Sequence, residues 1–296
     1  MDARQAMGTV LNRRIVELSR PLDPLPTGVA ATLPRGERLR AVLFDVYGTL
    51  IISGSGDVGT ASAVDSARAA EQALECAGYS REAFPNGEAV VDAYGAAVRA
   101  AQRERAQEVD HPEVEIRAVW GAVLDELGLS HDAERRERVA VEYECRVNPV
   151  WPMPGAADTL RILRERGTPT GIVSNSQFYT PLLFSALLGA GPEELGLEEA
   201  ISCWSYRLRA GKPSTALYQQ AADGLRSGHG IAPRECLYVG NDMLNDVWAA
   251  SRVGFRTALF AGDRRSLRWR SEDPRCANLA PDAVVVELQQ VLELLD

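Results

Sequence analysis

Short apolar runs and amphipathic stretches alternate along most of this chain, with one long interruption. Arg40–Val46 (RAVLFDV) is a short apolar run and reads as a buried strand. Past the Trp151-Pro152-Met153-Pro154-Gly155 break the alternation is regular. Helix Ala156–Arg166 leads to strand Thr170–Ser174, and helix Phe178–Leu188 to strand Ile201–Ser205. Helix Ser214–Leu225 leads to strand Cys236–Val239, and helix Leu244–Val253 to strand Arg256–Phe260. Val284–Val286 adds an edge strand before a final helix. Strands alternating with helices predict an α/β fold built on a doubly wound parallel sheet.

The interruption comes straight after the first strand. A Gly-rich loop covers 48–60, and residues 61–147 read as helices only. They are Ala61–Cys76, Glu88–Glu108, Pro112–Leu127 and Asp132–Arg146, with apolar residues at helical spacing such as Val114, Ala118 and Leu124. Ahead of the first strand, Met7–Ser19 predicts a helix, and Pro21, Pro24, Pro26 and Pro34 then break any regular element. The expected organisation is an N-terminal arm over 1–38, a core over 39–60 and 148–296, and an inserted helical domain over 61–147. The arm is expected to lie as a strap over the core. There is no internal repeat.

Composition narrows the chemistry. A net charge of −9 argues against a nucleic-acid or anionic-membrane surface. No apolar run approaches the roughly 20 residues that span a bilayer, and the first residues lack the apolar core of a secretory signal. A cytoplasmic protein acting on a small molecule is expected. Cys76, Cys145, Cys203, Cys236 and Cys276 are odd in number and lack zinc-ligand spacing, so reduced thiols are expected. His111, His131 and His229 are scattered, so carboxylates are the chemistry-bearing groups expected of an enzyme. Of 32 basic residues only Lys212 is a lysine. General arginine bias explains that count, and so does a local need for a compact point charge on a flexible stem.

In a doubly wound sheet, ligands bind beyond the carboxyl ends of the strands. Asp45, Ser174, Asn175, Asn241 and Asp242 sit there, and Lys212 opens the helix after the fourth element. Four segments in this order resemble the haloacid dehalogenase superfamily. They are Phe44-Asp45-Val46-Tyr47-Gly48-Thr49-Leu50, Ile172-Val173-Ser174-Asn175, Gly211-Lys212-Pro213 and Val239-Gly240-Asn241-Asp242-Met243-Leu244-Asn245-Asp246. Each string is weak alone, and their common placement at strand ends makes the set specific.

The resemblance implies a Rossmannoid hydrolase with Asp45 as covalent nucleophile. Ser174 would hydrogen-bond the transferring group, Asn175 beside it is a further catalytic-site candidate, and Lys212 would neutralise charge building on nucleophile and substrate. Asp242, with Asp45 and the backbone carbonyl of Tyr47, would hold Mg2+, which prefers hard oxygen ligands. Asp246 would hold Lys212 or a metal-bound water, and Asn241 would be a ligand or an orienting group. The structural alternative is that Asp242 and Asp246 cap the following helix. Residues 61–147 resemble the family's cap domain, which shields the site and selects the substrate. His111, Arg117 and Trp120 are cap residues that could face the site, with ordinary surface and core roles as the alternative. Gly54-Ser55-Gly56-Asp57-Val58-Gly59 fits a dinucleotide fingerprint, but four helices follow it instead of a βαβ unit.

One departure matters. Phosphatases of the superfamily carry a second aspartate two residues after the nucleophile, where this chain has Tyr47. A phenol with a reference pKa of about 10 is a poor base at neutral pH. The DVYGTL string resembles the 2-haloacid dehalogenases, whose halide leaves without a proton. The acidic fourth segment resembles the magnesium phosphohydrolases instead. Among the arginines, Arg68 and Arg81 are candidates to hold a halide or carboxylate. The sequence leans to magnesium-dependent hydrolysis of a small anionic phosphate ester. Metal-free haloacid dehalogenation and a catalytically weak binding protein are the alternatives.

Overall fold

The computed structural model describes residues 3–34, 38–55 and 63–296. Most of the Gly54–Gly59 fingerprint lies outside the described residues. Helix α1 (Ala3–Leu18) precedes strand β1 (Ala41–Phe44) and a short strand β2 (Ile51–Ser53). Four helices follow: α2 (Ala63–Cys76), α3 (Gly87–Arg105), α4 (Ile116–Glu126) and α5 (Ala133–Val147). The chain returns through β3 (Val150–Pro152) to α6 (Ala156–Glu165), β4 (Thr170–Ser174) and α7 (Thr180–Leu183), which continues as a π-helical turn over Phe184–Leu188. Next come β5 (Cys203–Trp204), α8 (Ser205–Leu208), α9 (Ala216–His229) and β6 (Cys236–Gly240). A π-helical segment over Met243–Trp248 runs into α10 (Ala249–Val253), and β7 (Arg256–Phe260), β8 (Ala283–Val285) and α11 (Gln290–Glu293) close the chain.

Six strands form one sheet in the order β5-β4-β1-β6-β7-β8, and every pairing in it is parallel. Strand side chains alternate between faces. Val42 and Phe44 of β1 pack into one apolar cluster with Leu160 and Leu163 of α6 and Val291 of α11. Ala41 and Leu43 point into another with Leu217 and Tyr218 of α9 and Ala249 of α10. Helices therefore cover both faces, as the alternating pattern predicts. β1 lies between β4 and β6, so the chain order reverses at its tip. That reversal opens the crevice in which such sheets bind ligands, and Asp45 is the next residue.

Two boundaries differ from the sequence expectation for physical reasons. The strand predicted over Ile201–Ser205 shrinks to Cys203–Trp204, because Glu199–Ile201 coils into a 3-10 turn and Ser205 already starts α8. The helix predicted from Pro112 starts at Ile116, because Pro112 is held in an isolated bridge to Ala210 and the Glu115 side chain accepts the Arg117 N–H as an N-cap.

The helices α2–α5 leave and re-enter the core through β2 and β3, which pair antiparallel to each other. Tyr94, Trp120 and Tyr143 stack at centroid separations of 5.1–5.3 Å inside this block. The N-terminal arm crosses both regions. Arg14 binds the fully buried Glu142 of α5 at 2.6 Å. Thr32 exchanges backbone hydrogen bonds with Val284 on the outer edge of β8. Between them, the Leu25 N–H donates to Asp263 and the Thr27 hydroxyl to the Ala261 carbonyl.

Candidate active site

Asp45 is placed by backbone geometry. Its N–H donates to the Val239 carbonyl at 2.9 Å, the last rung between β1 and β6 before the chain turns. The turn needs Gly48 at φ +80°, where a Cβ would also come 2.5 Å from the Ser266 side chain. The Asp45 carboxylate then lies 2.8 Å from Lys212 Nζ, which is 2.6 Å from Asp246 Oδ1. Lys212 also donates to the Tyr238 hydroxyl at 3.2 Å, so one ammonium spans three oxygens. Its main chain is held by Asn175, whose Oδ1 accepts the Lys212 N–H at 2.7 Å. Asp246 approaches because residue 240 is glycine: a Cβ there would sit 2.3 Å from the Asp246 carboxyl carbon.

Charge follows burial. Burial alone would lower the Lys212 ammonium, but the carboxylates of Asp246 and Asp45 outweigh it and raise its pKa. Burial pushes Asp246 up to about 6; Lys212 opposes that rise, while Asp45 and Asp242 add to it. Tyr47 is raised above the ordinary phenol value, first by burial and then by Glu144, and its hydroxyl is 3.0 Å from the Thr180 hydroxyl.

Asp242 faces a different cation. Arg270, on the long connection between β7 and β8, donates through Nε at 3.0 Å and Nη2 at 2.6 Å to Asp242 Oδ2. Oδ1 accepts the N–H groups of Leu244 and Asn245 at 2.8 and 3.1 Å, the helix-capping role that the sequence left as an alternative. Arg270 adopts φ +50°, a left-handed conformation uncommon for a residue with a side chain. The connection is fastened to the strand tip: the Met243 N–H donates to the Arg268 carbonyl and the Arg268 N–H to the Asn241 carbonyl. Among the described residues no three His, Cys, Asp or Glu side chains converge as a metal site. With both Asp242 oxygens committed, the expected set of Asp45, Tyr47 carbonyl and Asp242 does not fit an ion as it is arranged.

A cavity of about 390 Å³ adjoins Asp45. Asp45, Tyr47, Asn175, Lys212, Asn241, Asp242 and Asp246 all line it. Ser174 does not: it is fully buried at the β4 tip, and its hydroxyl donates to the Asn175 carbonyl at 3.2 Å. The Asn241 side chain accepts from the Thr49 hydroxyl and donates to the Ser266 carbonyl. Tyr94, Val98 and Gln102 from α3, with Glu113 and Glu144, form the wall contributed by the helical block. Burial raises the carboxyls of both Glu113 and Glu144.

The three named cap candidates lie elsewhere. Trp120 is in the aromatic stack, Arg117 binds Glu115 and Glu137, and His111 lines a neighbouring groove and accepts the Gly211 N–H on its carbonyl. Arg81 binds Glu71, and Arg68 lines a groove that Asp45 does not line. The arginine that does line the cavity is Arg268, beside Ser266, whose buried hydroxyl has no hydrogen-bond partner. The strand-tip rule, continued past Phe260 to the basic run from Asp263 to Arg270, would have found this segment.

The fold and its strand-tip site define a doubly wound α/β protein of the Rossmannoid kind. Within that class the chain belongs to the haloacid dehalogenase-like hydrolases, whose family model matches residues 39–254. Among solved structures, a 2-haloacid dehalogenase from Pseudomonas syringae pv. Tomato DC3000 is 20% identical, with 87% of this chain and 98% of that one covered and a TM-score of 0.53. The L-2-haloacid dehalogenase of Xanthobacter autotrophicus is 21% identical, covering 86% and 98%, with a TM-score of 0.46. A HAD phosphatase from Thermococcus onnurineus is 16% identical, covering 87% and 98%, with a TM-score of 0.49. No curated protein matches the sequence. All five cysteines are unpaired, and no helix among the described residues is long and apolar enough to cross a membrane.

Proposed function

We propose that this hydrolase forms an aspartyl ester on Asp45 with a small anionic substrate whose leaving group departs without a proton, the chemistry of a 2-haloacid dehalogenase. The observation that carries this reading over magnesium-dependent phosphate-ester hydrolysis is Tyr47. It occupies the position of the phosphatase acid and base, it stays neutral at physiological pH, and its hydroxyl is engaged with Thr180. An alkoxide leaving group would need a proton that this position does not deliver, whereas a halide needs none.

In the first step one Asp45 oxygen attacks the halogen-bearing carbon. The C–O bond forms as the carbon–halogen bond breaks, and halide leaves with the bonding pair. Lys212, 2.8 Å from Asp45, holds the carboxylate in place beside a compensating positive charge. In the second step water adds to the ester carbonyl and passes a proton to Asp246, whose pKa of about 6 suits a base near neutral pH. The acyl–oxygen bond breaks, the proton returns to the product oxygen, the second proton of the water leaves the Asp45 carboxyl for solvent, and a 2-hydroxy acid is released from the regenerated Asp45 carboxylate. Arg268 and the unpartnered Ser266 hydroxyl are the donors for the substrate carboxylate. Helices α2–α5 act as the cap, closing the cavity over Asp45.

The test is halide release from 2-chloropropionate in the presence of a chelator, with stoichiometric 2-hydroxy acid and none from Asp45→Asn. No halide from a series of short 2-haloacids, together with Mg2+-dependent phosphate release from a metabolite panel, would overturn the reading.

A further inference from the structure

We propose that Arg270 is the resident cation of the acidic strand tip, and that it competes with divalent metal ions for Asp242. The fourth sequence motif supplies acidic groups of the kind that recruit a metal. Asp45, Asp242 and Asp246 all line one cavity, and their residues are at most 7% exposed. Three carboxylates in so dry a place require cations. Lys212 serves two of them, at 2.8 Å from Asp45 and 2.6 Å from Asp246. Nothing in that arrangement reaches Asp242. Arg270 does, with two nitrogens on Oδ2 and a longer contact from Nε to Oδ1 at 3.2 Å. A planar fork on a carboxylate is the strongest form of such a pair and consumes the lone pairs a metal would use.

The pair is built into the fold. Arg270 sits two residues beyond Arg268, whose backbone is hydrogen-bonded on both sides of Asp242, to Asn241 and to Met243. The backbone at Arg270 takes the left-handed φ of +50°, a conformation that persists where surrounding contacts enforce it. Farther along the same connection, the N-terminal arm fastens its root through Asp263 and Arg264. A guanidinium delivered this way neutralises Asp242 with no ion from solution. The inference rests on this geometry and holds whether Asp45 attacks carbon or phosphorus.

The experiment measures binding, so its failure is distinct from a failure of the proposed reaction. Mn2+ is titrated into the full-length protein and free ion is read by electron paramagnetic resonance, with Mg2+ competition to confirm the site. Wild type, Arg270→Gln, Arg270→Lys, Asp242→Asn and the Arg270→Gln/Asp242→Asn double variant are compared. Arg270→Gln is expected to bind about tenfold or more tightly than wild type, an amount equal to at least one ordinary ion pair. Arg270→Lys is expected to fall between, since a point charge cannot fork both oxygens, and the double variant to lose the gain. Thermal melting should show Mg2+ stabilising Arg270→Gln more than wild type. Equal Mn2+ affinity in wild type and Arg270→Gln, or a gain that survives Asp242→Asn, overturns the proposal. Should Arg270→Gln fail to fold, Arg270→Lys decides alone, and affinity equal to wild type overturns it.

Discussion

The acidic site is neutralised differently on its two sides. On one side Lys212, a compact ammonium with 3% side-chain exposure, reaches Asp45 and Asp246 together. On the other Arg270, with 34% of its side chain exposed, forks onto Asp242 alone from a long connection. The buried side has several oxygens converging from different directions on one point, which suits a compact ammonium with three rotatable donors. The outer side needs one carboxylate held in one orientation, which the fork does well. In a chain that otherwise uses arginine throughout, the single lysine falls where one compact charge meets two buried carboxylates. On the proposed reading the difference also separates roles: the Lys212 side would hold the reacting groups, and the Arg270 side would govern what else can bind.

Asp45→Asn breaks the Lys212 side most directly. Turnover should fall by about 10⁴-fold or more with folding retained, because the amide is not a nucleophile. Halide assay and circular dichroism together check it. Lys212→Met should leave Asp45 and Asp246 buried without a counter-charge and lower unfolding free energy by about 3–5 kcal/mol, measured by urea titration. A loss below that of Arg270→Gln would reverse the ranking of the two sides. Arg270→Gln should cost about 1–3 kcal/mol, since Asp242 keeps its two capping N–H donors. Its loss should shrink when Mg2+ is added, whereas that of Lys212→Met should not.

The pH profile sharpens the comparison further. Asp246 sits above the ordinary carboxylate value, at about 6, so its basic form appears only as pH rises through that value. Hydrolysis of the ester intermediate should therefore drop about tenfold per pH unit below about 6, with Asp246→Asn abolishing the limb. Single-turnover measurements from about pH 4.5 to about pH 8, on both sides of that value, would show it; a flat profile removes Asp246 as the base. The smallest effect is expected at Tyr47→Phe. Losing the contact to Thr180 should cost about 0.5–1.5 kcal/mol and leave turnover within about threefold. A large fall in turnover would mean that the phenol itself takes part.

Legibility in the sequence followed sequence distance and periodicity. β4 and β7 were predicted at their observed bounds because each is a short apolar run closed by turn residues. β5 was not, because an edge strand bonded to one neighbour needs only two residues. Asp45, Asn175, Lys212, Asp242 and Asp246 are legible as site residues in the sequence and share one cavity, since strand tips at a chain-order reversal converge. Ser174 was marked for the same reason but turns its hydroxyl toward Asn175, a rotamer choice that no pattern reveals. Arg268 and Arg270 escaped because they lie in an aperiodic connection, and Arg68 and Arg81 had equal claim on paper.

The sequence by itself determined the alternation of a doubly wound sheet, the inserted helical block and most of the acidic and polar residues at strand ends, because periodicity is a local property. It also marked Tyr47 as the departure from phosphatase chemistry. Only the tertiary structure decided which cation meets which carboxylate. Asp242 could face a metal, a helix end or an arginine on the same sequence; the backbone of Arg268, pinned to the β6 tip, carries Arg270 to it. Charge pairing depends on directions and distances of a few ångströms between segments far apart in the chain, and packing alone sets those.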